Sequence, residues 1–195
     1  MLRGLEIIVG MTAIPDAPSP VLTRSALIVP VPSAEPVVGR HRRIMDRSAV
    51  GGVPAHVTVL YPFIPPSEID ETVIEAVAEV LRDVPAFDCT FAEVDWFGDH
   101  LVWLRPDPDL RFRELTNAVW ERFPVHRPYA GVHDPVPHLT VGDAQLADLS
   151  TLRRVAEEIA TELPITARID EVRLMAGAYE PDSWRSLATF PLVGE

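Results

Sequence analysis

Hydrophobic residues along this chain follow two spacings, and these predict strands and helices in a recurring order. Period-two runs of apolar and β-branched residues predict strands at residues 25–31, 87–97 and 100–104, the last two joined by a Gly98-Asp99 turn. Three-four spacing predicts a helix over residues 68–83, with Ser67 as its N-cap. The first half therefore reads as an α+β unit.

The second half repeats this order. A helix is predicted over residues 149–163, ended by Pro164, followed by strands at 165–175 and 184–190. Upstream of these elements, helix-like segments near 36–47 and 110–123 also correspond. The alternative is chance resemblance of two α+β halves, but self-similarity on this scale favours two copies of one supersecondary unit. We therefore predict an N-terminal arm at 1–24 and one domain at 25–195, with repeats at about 25–105 and 106–195.

A short His-x-Thr phrase occurs once in each half, as His56-Val57-Thr58 and as His138-Leu139-Thr140. Both copies lie in apolar, β-branched runs that predict buried strands. Alternate residues of a strand point to the same face, about 6.6 Å apart, so each imidazole projects with a hydroxyl. Two such strands facing each other would surround one small volume with two His and two Thr. This set suits acid–base chemistry on a phosphate.

The two His-x-Thr phrases, each on a strand followed by a helix, resemble the 2H phosphoesterase superfamily, which includes 2′-5′ RNA ligase-like proteins and cyclic nucleotide phosphodiesterases. The resemblance extends from about Ser25 to the C-terminus. It implies a bilobed α+β fold with pseudo-twofold symmetry, in which antiparallel sheets line a central cleft and helices lie outside. It also implies that no metal or cofactor is used and that His56, Thr58, His138 and Thr140 are the catalytic residues.

The side chains suggest a mechanism. Imidazole exchanges protons near neutrality, so one histidine can activate a water or ribose hydroxyl while the other protonates the departing oxygen. The threonine hydroxyls would donate to the non-bridging phosphate oxygens. The expected reaction is cleavage of a cyclic phosphate or a 2′-5′-type phosphodiester in a small nucleotide-like substrate. Which histidine is the base stays open.

Four further residues are candidates for substrate binding. Tyr61 and Phe63 follow the first motif, Tyr129 precedes the second, and an aromatic ring can stack on a base. Packing in the core or at the rim is the alternative for these rings. Arg42 belongs to an Arg-His-Arg-Arg run that could attract a phosphate, although a solvated helix face is the simpler interpretation.

Composition restricts the class of protein and partner. The formal net charge is −12, and long nucleic acid is bound mainly through Lys and Arg, so such a partner is not expected. The single Cys89 cannot form an intrachain disulfide, which is consistent with the cytoplasm. No apolar run approaches the roughly 20 residues of a membrane span, and we expect neither a signal peptide nor membrane association. The oligomeric state stays open.

Three alternatives remain. Metal-assisted hydrolysis could use His126, His133, Asp134 and His138, but their spacing matches no familiar ligand pattern. A non-catalytic module of the same fold could bind a nucleotide or phosphorylated ligand without turnover. RNA 2′-5′ ligation or RNA-end processing is the third, and the acidity of the chain argues against it.

Overall fold

Eight strands form two four-stranded antiparallel sheets in the computed structural model, which describes residues 21–132 and 134–194. Most of the predicted N-terminal arm therefore lies outside the described residues. In chain order the strands are β1 (Arg24–Pro30), β2 (His56–Leu60), β3 (Phe87–Phe97), β4 (Leu101–Asp107), β5 (Leu139–Asp143), β6 (Ile165–Ile169), β7 (Glu171–Gly177) and β8 (Arg185–Pro191). The helices are α1 (Glu35–Met45), α2 (Arg47–Val50), α3 (Glu71–Leu81), α4 (Leu110–Arg122) and α5 (Leu149–Ala160).

The two sheets have corresponding strand orders. The first sheet runs β2-β1-β7-β8 and the second β5-β4-β3-β6, so each begins with a motif strand; His56 is the first residue of β2, and His138 directly precedes β5. The predicted α+β fold with antiparallel sheets is confirmed. The sheets nevertheless do not coincide with the two halves of the sequence, because each one takes strands from both halves.

The run at 165–175, which the sequence predicts as one strand, is two strands in different sheets. β6 pairs with β3 in the second sheet, whereas β7 pairs with β1 in the first. The chain crosses between the sheets at Asp170, whose carbonyl accepts a hydrogen bond from the Leu192 amide at 2.7 Å. The charged pair Asp170-Glu171 interrupts the period-two pattern at this crossing, and the buried positions shift from 165, 167 and 169 to 172 and 174.

Helix boundaries differ from the predicted ones where a local cap decides them. The helix predicted from residue 68 begins at Glu71, because the Asp70 side chain accepts a hydrogen bond from the Val73 amide at 3.0 Å and acts as the N-cap. Ser67 instead lies in a short 3₁₀ turn. The segment predicted as one helix over 36–47 is divided into α1 and α2 at Asp46, whose backbone is extended.

The main core lies where the helices cover one face of the sheets. Val57 and Leu139, the middle residues of the two motifs, are fully buried in it. Each such side chain removed from water contributes about 1.5–3 kcal/mol. A smaller cluster built on Ala26, Ile28 and Met175 covers the opposite face of β1 and β7. Among the described helices, none combines the length and apolar character needed to cross a bilayer.

Candidate active site

The two motif strands are edge strands, and they approach each other across the space between the sheets, which we call the cleft. Val57 and Leu139 point into the core, while His56, Thr58, His138 and Thr140 are all half-buried. This is the alternation that the sequence predicts. The fold therefore gathers the four side chains at facing sheet edges.

Both motif histidines make the same hydrogen bond. Nδ1 of His56 lies 2.7 Å from the Pro54 carbonyl oxygen, and Nδ1 of His138 lies 2.7 Å from the Val136 carbonyl oxygen. A carbonyl oxygen only accepts, so Nδ1 carries the proton in each ring and donates. Each neutral imidazole consequently keeps Nε2 as its proton-accepting atom. The two rings are thus held in the same tautomer by equivalent backbone contacts.

Burial in the cleft lowers the pKa of both motif histidines. Burial, together with the nearby Arg42 and His138, lowers the pKa of His56 to about 4, although the hydrogen bond to Pro54 and the charge of Asp46 act to raise it. Burial also lowers the pKa of His138, again opposed by Asp46. Both imidazoles are therefore neutral in the unliganded protein at pH 7.

Arg42, predicted as a substrate contact, lies behind the second motif strand. Its side chain is 1% exposed, and Nε is 3.1 Å from the carbonyl oxygen of Thr140 and 3.0 Å from Oδ2 of Asp46. Nη2 also donates to Ser48 Oγ at 3.1 Å. The solvated-face interpretation holds for Arg40 and Arg43, which are exposed, but is wrong for Arg42. Arg42 fastens α1 to β5.

Two of the three predicted aromatic contacts lie at the cleft. The Tyr129 ring is stacked on the His138 ring with centroids 6.3 Å apart, and the Tyr129 amide donates to the Tyr61 carbonyl oxygen at 2.7 Å. Tyr61 and Tyr129 line a cavity of about 370 Å³ together with Thr58. Burial raises the pKa of Tyr129 to about 12, so its hydroxyl stays protonated.

Phe63 lies elsewhere. Its side chain is 4% exposed and packs edge-on against Phe123, with ring centroids 5.1 Å apart. The Phe63 amide donates to the Ser25 carbonyl oxygen, which turns this segment back toward the core after β2 ends. Phe63 is therefore packed in the core, which was the alternative interpretation of this residue, and its ring does not reach the cleft.

Two more aromatic residues lie at the cleft: Phe97, which the sequence did not identify, and Trp103. Their ring centroids lie 5.0 Å and 5.8 Å from that of His138, both edge-on. Strand periodicity leaves Trp103 ambiguous between core and cleft. The deciding information is the register, in which Trp103 pairs with Thr140 of the motif strand. Asp46 was also missed, because nothing in its spacing marks it as a neighbour of both histidines.

The residues of the metal alternative are not gathered as a ligand set. His126 packs against Phe63 with centroids 5.8 Å apart, and Asp134 lines the 370 Å³ cavity. His133 lies outside the described residues. Within residues 21–132 and 134–194, no group of three or more His, Cys, Asp or Glu residues is arranged to hold a metal ion.

Comparisons with known proteins agree with this architecture. A family model described as the 2′-5′ RNA ligase superfamily matches residues 29–178. The crystal structure of E. coli LigT complexed with 3′-AMP aligns with a TM-score of 0.57 at 18% identity, covering 89% of this chain and 99% of LigT. TT0787 of Thermus thermophilus aligns with a TM-score of 0.59 at 16% identity, covering 88% and 99% of the two chains. A search of curated proteins found no significant match.

Proposed function

Because the chain belongs to the 2′-5′ RNA ligase superfamily of 2H phosphoesterases, we propose that it hydrolyses a cyclic phosphate or a 2′-5′-type phosphodiester in a small nucleotide-like substrate. Residues 25–195 would act as one bilobed domain. The catalytic residues would be His56, Thr58, His138 and Thr140.

The observation that carries this proposal is the equivalence of the two histidines. In each ring a backbone carbonyl engages Nδ1 and leaves Nε2 for proton transfer. One neutral Nε2 would take a proton from water as the water oxygen bonds to phosphorus. The other ring, protonated, would give its proton to the alkoxide oxygen as the P–O bond breaks. The net reaction consumes one water and returns both rings, after proton exchange, to their starting states.

Thr58 and Thr140 would act on the phosphate itself. A hydroxyl beside each imidazole can donate a hydrogen bond to a non-bridging oxygen, whose charge grows as phosphorus becomes five-coordinate. Arg42 would contribute indirectly, because its guanidinium binds the Thr140 carbonyl oxygen and so positions the second hydroxyl.

Tyr61 and Tyr129 would contact the substrate on the side of the cleft next to Thr58. The stacked Tyr129 ring already contacts His138 and the cavity beside Thr58. Support for a small nucleotide-like ligand comes from LigT, whose crystal structures include complexes with 3′-AMP, NADP⁺ and ATP.

The test is a turnover assay with adenosine 2′,3′-cyclic phosphate, run with and without EDTA, with product separated by chromatography. Hydrolysis that survives EDTA and disappears in His56→Ala/His138→Ala supports the proposal. Calorimetric binding without turnover would identify a non-catalytic module. Loss of rate on chelation, restored by zinc or manganese, would favour metal-assisted hydrolysis, and 2′-5′ joining of oligoribonucleotides without hydrolysis would favour a ligase.

A further inference from the structure

A second and larger cavity of about 700 Å³ lies beside the second motif. Phe97 and Trp103 form part of its wall, and these are the two rings that contact the His138 imidazole. Val136 and Pro137, which lead into His138, line this cavity as well as the smaller one. A substrate with its phosphate between the motifs could therefore extend directly into this space.

The aromatic wall suits a planar group. Phe97 and Trp103 are stacked on each other with centroids 4.9 Å apart, which holds both rings in place. Trp103 is 3% exposed, and its indole N–H has no hydrogen-bond partner among the described residues. A buried polar group without a partner is uncommon in folded proteins.

The charged residues on the cavity wall are mainly acidic. Four carboxylates face two guanidiniums, and these six residues are Glu93, Asp95, Asp107, Asp109, Arg105 and Arg113. Each guanidinium is already paired with a carboxylate of the same wall. Arg105 bonds to Asp95 and lies 3.6 Å from Glu93, and Arg113 lies 2.8 Å from Asp109 while its Nη1 donates to the Pro135 carbonyl oxygen. The wall therefore carries an excess of negative charge.

We propose that this acidic, aromatic cavity binds the organic part of the substrate and selects a neutral or cationic planar group over one that carries a further phosphate. This inference rests on the proposed function, which supplies the phosphate bound between the motifs. The expected substrates are therefore phosphoesters that carry a single phosphate. A chain of nucleotides or a 5′-phosphorylated nucleotide would bring a second anion against a wall whose four carboxylates outnumber its two guanidiniums.

Two substrates that differ by one phosphate test the selection. Adenosine 2′,3′-cyclic phosphate and its 5′-phosphorylated derivative share the base, the sugar and the reacting group. We expect kcat/KM for the 5′-phosphorylated compound to be lower by about tenfold or more at low salt, mainly through KM, because like charges repel across the cavity. Equal values, or a preference for the 5′-phosphorylated compound, would overturn the inference.

Matched double variants locate the effect. Glu93→Gln/Asp107→Asn removes two cavity carboxylates, whereas Asp88→Asn/Asp99→Asn removes two from the same β3–β4 hairpin outside the cavity. The ratio of kcat/KM for the two substrates should shift about tenfold toward the 5′-phosphorylated compound in the first variant only. An equal shift in both variants would mean that net charge, not this cavity, sets the preference.

Binding measurements separate this inference from the proposed reaction. Calorimetry with adenosine 3′-phosphate and adenosine 3′,5′-bisphosphate needs no turnover. If the native chain hydrolyses neither cyclic substrate but binds the monophosphate about tenfold more tightly than the bisphosphate, the proposed reaction fails and the charge selection stands. If it binds both equally, the charge selection fails whatever the catalytic result.

Discussion

At the scale of single residues, the candidate site depends on two imidazoles held by carbonyls two positions earlier in the chain. The contacts from Pro54 to His56 and from Val136 to His138 are both 2.7 Å. They fix the tautomer without any side-chain partner. The backbone leading into each strand therefore orients the ring, as a carboxylate does in many other enzymes.

Replacing either histidine should remove one proton transfer. We expect His56→Ala and His138→Ala each to lower kcat by at least about 100-fold, and Thr58→Ala and Thr140→Ala to lower it less. His100→Ala, at an exposed turn residue, is the control and should keep the native rate. Steady-state kinetics with thermal unfolding curves would check both activity and folding. Near-native turnover in either histidine variant would contradict the two-histidine mechanism.

The pH profile should be displaced to the acid side. Catalysis needs one neutral and one protonated imidazole, and burial lowers the pKa of both, that of His56 to about 4. A plot of kcat/KM against pH should therefore be a bell with its maximum above about 4 and below about 6.5, reporting the pair of rings. A maximum above about pH 6.5 would contradict these environments.

Stability should also depend on pH in this range. The unfolded chain protonates His56 near its ordinary pKa of about 6.5, whereas the folded protein does so only near 4. The folded state thus binds fewer protons between these values, and its stability falls as pH falls from 6.5 to 4, by up to about 3 kcal/mol. Urea unfolding at about pH 7 and about pH 4.5 would measure this. His56→Gln, which does not titrate, should lose less over the same interval.

At the scale of elements, α1 is tied to the second motif strand by a buried ion pair. Arg42 binds both Asp46 and the Thr140 carbonyl oxygen, and Asp46 also accepts from the Ser48 amide at 2.9 Å as the N-cap of α2. The Asp46 carboxylate therefore caps the start of α2, pairs with a buried cation and raises the pKa of both motif histidines.

A double-mutant cycle should reveal this pair. Asp46→Ala removes the nearer charge partner of a buried guanidinium, leaving only Glu35 at 3.7 Å, and should lower the free energy of unfolding by about 3–5 kcal/mol. Arg42→Met/Asp46→Ala should cost less than the sum of the single changes by at least about 1 kcal/mol. The exposed Arg111–Glu114 pair is the control, with an expected coupling below about 0.5 kcal/mol. Additive losses at Arg42 and Asp46 would contradict the assignment.

Local patterns in the sequence predicted most helices and strands correctly. They failed where contacts between distant parts of the chain determine an element's end or a side chain's burial. The strand predicted at 87–97 matches β3 because period-two alternation and the Gly98 turn define it. The break at Asp170 was missed because strand-like residues resume directly after the Asp170-Glu171 pair, and only their pairing with β1 shows that they belong to the other sheet. Arg42 and Phe63 were misplaced for a related reason. A charged run predicts solvent and an aromatic beside a motif suggests a ligand contact, but only the packed fold determines that both side chains are buried.

At the scale of the whole molecule, charge distinguishes this chain from a protein built to follow a polyanion. The sequence has 17 Lys and Arg against 29 Asp and Glu. Of the arginines that the sequence places near the first motif, Arg42 is buried and Arg40 lies 3.6 Å from Glu162. Arg43 and Arg47 are the other arginines of this segment and are exposed, which is few cations for a row of successive phosphates.

Long RNA should therefore be a poor substrate. We expect a 2′,3′-cyclic mononucleotide to be turned over with weak salt dependence, and an oligoribonucleotide ending in the same group to bind poorly at physiological salt, because each phosphate contact needs a cation. Measuring kcat/KM for both at two salt concentrations checks this. A strong preference for the oligomer with a steep salt slope would mean that the α1 arginines form a nucleic-acid track.

The division of each sheet between the two ends of the chain has a consequence for synthesis. When β1 and β2 have left the ribosome, they can form only a two-stranded ribbon, since β7 and β8 complete that sheet and are the last of the described strands to be made. A ribbon of two strands is marginally stable in water. The second sheet is likewise incomplete until β6 emerges. The first motif is thus translated early but becomes part of a finished cleft only when β7 and β8 have been made. A chain truncated before β7 would therefore lack the site, even though it contained all four motif residues.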